Sequence, residues 1–253
     1  MQTLIYTLLN LLNTSLQEDT NYQIAICLLQ HLREIPYLSL QQVSDLCHVS
    51  VATFNRFCKT LGFYNYSTLR KIAGYGEEKN YSQLKHDTFL KLLIENMQAI
   101  EDIHISTLDS IVDRLYSADN IILAGYGDFQ FEALYLQKHL FSHGKYATVQ
   151  ANPNGAYEEF MKLKNNDVLL ITSMQLNYLQ LNQNKIWHKR IKQLKCQKIV
   201  LTQVHDKNLC NLFDVVIPCG IHAHKDIQNY AIMRLYDLII HRYHEKYQSQ
   251  VFE

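Results

Sequence analysis

Near residue 120 the spacing of apolar side chains changes, and no other feature constrains the fold as strongly. Before that point apolar residues recur every three or four positions. Leu4, Ile5, Leu8, Leu9, Leu11 and Leu12 form one set, and Ile24, Ile26, Cys27, Leu28, Leu29 and Leu32 form another. This is the period of amphipathic helix. Beyond residue 120 come four short continuous apolar runs, at 121–124, 168–171, 199–201 and 215–217, with a weaker fifth at 146–149. Helical patterns at 131–141 and 186–194 lie between them, and a last one runs from Ile227 to about Tyr243. Strands apolar on both faces and alternating with helices imply a parallel sheet covered on both sides. The chain is thus expected to have two domains, an all-α N-terminal one and an α/β one. With 8 glycines and 3 prolines in 253 residues, against average usage of about 7 % and 5 %, a many-turned all-β or linker-rich chain is excluded.

Within the helical part, Asp19 and Thr20 are candidate caps, and Pro36 disfavours helix just before it. Ser39 caps a short helix at 40–46. A tight connection, Cys47-His48-Val49, leads to Ser50 and a further helix of about ten residues that stops near Leu61-Gly62. Residues 74–82 combine two glycines with a polar cluster and read as linker. Ser106-x-x-Asp109 has the spacing of a capping box and is expected to open another helix. The boundaries drawn are 1–75 for the first domain, 76–106 for a linker with a connecting helix, and 107–246 for the second domain.

Residues 39–61 place two short helices around a three- or four-residue turn, the spacing of a DNA-reading helix-turn-helix. On the second helix Phe54, Phe57, Cys58 and Leu61 form a stripe for burial. The opposite face presents Ala52, Thr53, Arg56, Lys59 and Thr60, with Asn55 on the flank. Small residues near the helix start allow close approach to bases, and Arg56 and Lys59 can reach phosphates or guanine edges. From Leu46 to Gly76 there are four cations (Arg56, Lys59, Arg70, Lys71) and no carboxylate, in a chain whose Lys+Arg and Asp+Glu are 24 each. An ordinary helical hairpin with a solvated basic face has the same pattern.

The segment Val49-Ser50-Val51-Ala52-Thr53-Phe54-Asn55-Arg56-Phe57-Cys58-Lys59-Thr60-Leu61-Gly62-Phe63, followed by Tyr66-Ser67-Thr68-Leu69-Arg70, resembles the signature of RpiR-type bacterial transcriptional regulators. In that family an N-terminal helix-turn-helix domain is joined to a C-terminal SIS (sugar isomerase) domain, which commonly senses a phosphosugar. The resemblance implies double-stranded operator DNA as partner. Ser50, Thr53, Asn55, Arg56, Lys59 and Arg70 are its expected DNA-binding residues. His48 stands where the family has a glycine, so this turn is expected to be strained or reshaped.

The pattern from residue 120 onward is similar to a SIS domain, which holds phosphate with hydroxyls and backbone amides from two loops. The family's first loop reads roughly G-x-G-x-S, and here it is Gly125-Tyr126-Gly127-Asp128-Phe129-Gln130. Both glycines are kept, but Phe129 replaces the serine. Asp128 would repel a phosphate charge about 4 Å away by roughly 1 kcal/mol in water and about 4 kcal/mol at an effective dielectric of 20. The second loop normally reads S-x-S-G-x-T. Here it is Ser173-Met174-Gln175-Leu176-Asn177-Tyr178, which keeps only the first serine. Three readings stay open: the usual phosphate site, a domain kept as a dimerisation scaffold, or a neutral or zwitterionic sugar-related ligand. The candidate effector-binding residues are Gly125, Gly127, Asp128, Gln130, Ser173 and Gln175.

The six cysteines form no C-x-x-C pair, and Met1–Ile5 lacks a basic stretch ahead of its apolar residues. A reducing cytoplasm with thiols as small core residues is expected. No apolar run approaches the ~20 residues of a membrane span. His222 and His224 read as polar loop histidines, since no second metal-ligand pair accompanies them. The six cations between Val168 and His205 mostly share a solvated face. Nucleophile-elbow, Walker and zinc-protease motifs are absent from the sequence, so no catalytic residue, cofactor or metal is expected. The resulting expectation is a homodimeric or larger operator-binding regulator, with two rivals from other classes: a sugar-phosphate isomerase, and a pure assembly module that binds neither DNA nor ligand.

Overall fold

The computed structural model describes residues 2–74, 83–125, 129–150, 157–176 and 185–247. The chain divides into two compact units, Met1–Tyr81 with Ala151–Tyr157 and Ser82–Gln150 with Glu158–Glu253.

Among its described residues the first unit holds five helices: α1 (Gln2–Thr14), α2 (Thr20–Gln30), α3 (Leu40–Leu46), α4 (Val51–Thr60) and α5 (Tyr66–Gly74), with a 3₁₀ turn at Ile35–Tyr37. Local chemistry sets their ends. The Asp19 side chain accepts from Tyr22 N at 2.9 Å and starts α2. Ser39 and Gln42 form a reciprocal capping box on α3, with Ser39 N donating to Gln42 Oε1 at 2.8 Å. Helix α4 closes in a Schellman motif. Gly62, at φ +78°, donates to Lys59 O, and Phe63 N donates to Cys58 O, both at 2.9 Å. Leu4, Leu8, Ile24, Leu28, Phe54 and Phe57, all fully buried, anchor a core to which every helix contributes. The Phe54 and Tyr66 rings meet edge to face at 5.6 Å.

The second unit is a five-stranded sheet flanked by helices. Its strands are β1 (Ile121–Gly125), β2 (Thr148–Val149), β3 (Val168–Thr172), β4 (Gln197–Thr202) and β5 (Val215–Pro218). All pairings are parallel, in the order β2-β1-β3-β4-β5, with Gly125 beside Thr172 and Thr172 beside Leu201. All five residues of β3 are buried, which accounts for a strand apolar on both faces. The helices are α6 (His86–Glu101), α7 (Ile105–Ser117), α8 (Gln130–Ser142), α9 (Tyr157–Phe160), α10 (Lys185–Gln193) and α11 (Lys225–Tyr247). Helix α11 packs on α6, α7 and α8 and carries the fully buried Tyr236.

The start of α7 departs from the sequence expectation. Ser106 lies inside its first turn, and His104 is the cap, its Nδ1 accepting from Ser106 N at 3.2 Å. Asp109, expected to complete a capping box, instead pairs with Arg242 of α11 at 2.8 Å and with Lys246 at 3.5 Å. A cation that arrives from the far end of the chain outweighs a local amide.

Candidate nucleic-acid interface and effector cleft

The two sequence motifs map onto two separate places, one in each unit. In the first, the turn between α3 and α4 is itself a Schellman motif. His48 N donates to Asp45 O and Val49 N to Ser44 O, both at 3.0 Å, and His48 takes the left-handed position at φ +55°. The histidine therefore adopts the backbone of the glycine it replaces, where a Cβ is disfavoured. This turn delivers Ser50 to the N-cap of α4, where its hydroxyl accepts from Thr53 N at 3.1 Å and lies 2.9 Å from Thr53 Oγ1. Arg56 Nη2 donates to Thr53 Oγ1 at 3.4 Å, so Ser50, Thr53 and Arg56 are chained along one ridge of the helix.

Phe54, Phe57, Cys58 and Leu61 are buried, whereas Ser50, Ala52, Arg56, Lys59 and Thr60 are exposed and Thr53 and Asn55 are half-buried. A groove runs beside the ridge. Its walls are Thr20 and Asn21 from α2, Val49 and Ser50 from the turn, and Thr53, Arg56 and Thr60 from α4. Hydroxyls, an amide and a guanidinium line it, with no carboxylate, as a polyanion's backbone and base edges require. Ser50, Thr53 and Arg56 are brought together on its wall. Lys59 and Asn55 lie on the same helix outside the wall, and Arg70 is on α5, donating to Leu38 O at 3.4 Å. The Tyr66 hydroxyl lies 3.1 Å from Ile35 O and 2.9 Å from Leu38 O, and burial pushes its pKa up to about 12. Thr20 and Asn21 were missed by sequence reasoning. They reach the groove only because α2 packs against α4, a contact no local pattern encodes.

In the second unit, strand order reverses direction between β1 and β3. Their carboxyl ends are the crevice where open α/β sheets take ligands. Gly125 ends β1 under the start of α8. A Cβ on it would lie 2.3 Å from Phe129 O and 2.9 Å from Gln130 N, so the helix can begin there only over glycine. Phe129 caps α8 without a side-chain hydrogen bond and is buried in the core. Gln130 and Glu132 follow, both buried. Gly127 and Asp128 lie outside the described residues.

On the β3 side, Ser173 is buried and its amide extends the ladder to Leu201 O at 3.0 Å. Gln175 is half-buried, and Leu176 sits at φ +46° with its side chain buried. Leu176 thus stands in left-handed backbone, which favours glycine, while placing an isobutyl group in the loop. Beneath the crevice, Thr172 Oγ1 and the buried Tyr236 hydroxyl meet at 2.7 Å.

The loop after β5 is tied down by α6. The fully buried Asn96 accepts from Ile221 N at 2.9 Å and His222 N at 2.8 Å and donates to His222 O at 3.1 Å. Gly220, at φ +82°, leaves space for it. His222 Nε2 meets Glu95 Oε2 at 2.5 Å, and His224 lies 3.6 Å from Asp226. Among the described residues no three His, Cys, Asp or Glu side chains gather as a metal site requires, and no described helix is long and apolar enough to cross a membrane.

Residues 6–73 match the helix-turn-helix domain of the rpiR family. No curated protein matches the sequence. Among solved structures, the Vibrio vulnificus NanR protein complexed with ManNAc-6P is similar at 17 % identity, over 97 % of this chain and 93 % of that one, with a TM-score of 0.53. The sugar isomerase domain of an RpiR transcription factor from Sphaerobacter thermophilus is similar at 16 % identity, over 66 % of this chain and 93 % of that one, with a TM-score of 0.52. Residues 6–73 are thus an rpiR-family helix-turn-helix domain, and the parallel-sheet unit that follows has a fold similar to the sugar isomerase domains of those structures.

Proposed function

We propose that the chain is a homodimeric, sequence-selective operator-binding regulator whose C-terminal domain holds the two heads together. The observation that carries this reading is the exposed ridge Ser50–Thr53–Arg56 beside a carboxylate-free groove, on a helix whose opposite side is wholly buried. The start of α4 and the Ser50 hydroxyl anchor a phosphate oxygen, because first-turn amides have no acceptor within their own helix. Thr53 and Asn55 touch base edges, Arg56 reads a guanine or clamps a phosphate, and Lys59 and Arg70 add salt-dependent backbone contacts. One such head makes few contacts, so two are needed, reading half-sites about one helical turn apart.

Selection of bound fragments from random DNA supplies the site. On that site Arg56→Ala lowers affinity by more than about 1 kcal/mol at fixed salt. Equal affinity of the variant and the parent protein removes the assignment.

A sugar-related effector at the β1/β3 crevice would bias the placement of the heads, a coupling of about 1–3 kcal/mol in such systems. NanR, the similar structure, holds ManNAc-6P, but here Phe129 and Leu176 replace a hydroxyl and an open amide approach. The residues left near the crevice, among them Gln130, Ser173 and Gln175, suit the hydroxyls of a neutral or zwitterionic sugar better than a dianion. A melting screen decides this, since ligand at 100 times Kd stabilises by about 2.7 kcal/mol. Free or amino sugars are expected to raise the midpoint more than their phosphates. A larger shift with the phosphates restores the usual cradle, and no shift with any sugar leaves the domain as a scaffold.

A further inference from the structure

We propose that Cys27 and Cys47 form an oxidative modification site in the DNA-reading head, closing to an intramolecular disulfide when a peroxide reaches Cys27. All six cysteines are free thiols. These two are twenty residues apart in sequence, one on α2 and one at the C-cap of α3, yet Cys47 Sγ donates to Cys27 Sγ at 2.7 Å. A disulfide needs the sulfurs at about 2.0 Å, so closure takes a movement of less than about 1 Å. Cys27 is half-buried and Cys47 buried, which makes Cys27 the point of entry. Burial, and secondarily the neighbouring sulfur, hold the Cys47 thiol above the usual range.

The chemistry balances with a peroxide as oxidant. The Cys27 thiolate attacks one peroxide oxygen, the O–O bond breaks, and the departing alkoxide or hydroxide takes a proton to leave as alcohol or water. The product is a sulfenic acid on Cys27. Cys47 sulfur then attacks Cys27 sulfur, the S–O bond breaks, and hydroxide leaves as water with the Cys47 proton. Two thiols are oxidised and one peroxide is reduced.

The new bond ties α2 to the residue just before His48, in the turn that positions Ser50. A closed loop of about twenty residues loses unfolded-state freedom, so the oxidised head opens less often. The consequence for operator binding rests on the function proposed above, whereas formation of the disulfide does not.

The test uses the full chain carrying Cys210→Ser, which removes the exposed thiol and with it intermolecular coupling. After treatment with stoichiometric hydrogen peroxide, trypsin cleavage at Arg33 and Arg56 puts Cys27 on peptide 1–33 and Cys47 on peptide 34–56. The expected product is the joined pair of peptides, separated by dithiothreitol. Amides of residues 40–60 are expected to exchange at least about tenfold more slowly in the oxidised protein. Peptides that stay unlinked, or a link that leaves exchange unchanged, overturn the proposal. Cys47→Ser should arrest Cys27 as a dimedone-trappable sulfenic acid. Should that variant fail to fold, Cys27→Ser must abolish the cross-link and leave Cys47 unoxidised, and oxidised Cys47 in that variant counts against the proposal. Operator retention by the reduced protein is measured in parallel. Its absence with the cross-link present sinks the DNA reading alone.

Discussion

His48 and Leu176 occupy the same backbone region for opposite reasons. His48 is exposed at φ +55° in a turn whose Schellman hydrogen bonds demand that conformation, and Leu176 is buried at φ +46° in the second loop of the crevice. Left-handed backbone costs a residue with a Cβ about 1–2 kcal/mol, although histidine tolerates it better than most. His48→Gly is therefore expected to leave stability unchanged or raise it by up to about 1 kcal/mol, because glycine's extra unfolded-state freedom offsets part of the gain. His48→Val, β-branched, should cost about 1–3 kcal/mol. Denaturant midpoints of the three proteins measure both, and a stable valine variant would show that the turn is not strained. Both positions were legible in the sequence as replaced glycines. Their outcome was not, because a loop can answer such a replacement by changing shape or by keeping it, and only tertiary packing decides. Gly125 shows the same gap. Its place in a glycine pair suggests close approach of a ligand, whereas the structure puts the first turn of α8 against it.

At the scale of elements, period and caps were legible where the partner was local. Ser39, Ser50 and Gly62 each act within three residues of their own position: the two serines start helices and the glycine stops one, as their chemistry dictates. Asp109 failed that reading because its partners, Arg242 and Lys246, lie 133 and 137 residues away along the chain. The hydrogen bond from Arg242 holds the Asp109 carboxyl below the usual carboxylate range, and Glu101 is held down in the same way by Arg234. A carboxyl whose pKa is lower folded than unfolded stabilises the fold above the unfolded value near 4, and loses that contribution as pH falls through the folded one. Stability of the second unit is thus expected to decline as pH falls below about 4.5. In Asp109→Asn the decline should be shallower, and high salt should narrow the difference because both pairs are at the surface. Parallel declines in the two proteins, followed by circular dichroism at fixed denaturant, would show that the α7–α11 pairs do not contribute.

For the whole molecule, the groove wall and the proposed pairing of chains are the least legible, since both depend on surfaces that exist only after folding. Thr20 and Asn21 illustrate the first. For the second, Phe131, Leu134 and Phe141 are 54 %, 46 % and 68 % exposed on one side of α8, an apolar face of the sort that marks an interface. If the proposed dimer pairs through that face, DNA binding can read it. If Arg56, Lys59 and Arg70 each neutralise a phosphate, one head displaces about three counterions and two heads about six. The slope of log affinity against log salt is then about −2.7 for a single head and about −5.4 for a pair. Lys59→Ala removes one contact per chain, so it should lower the slope by about 0.9 if heads bind singly and by about 1.8 if they bind as a dimer. Replacing Phe131 and Phe141 together with aspartate should give a monomer by sedimentation, with a slope near the single-head value and a much weakened hold on a two-half-site operator. A double variant that sediments as a monomer yet keeps the steep slope would separate DNA binding from dimerisation. One that remains dimeric would move the interface off α8.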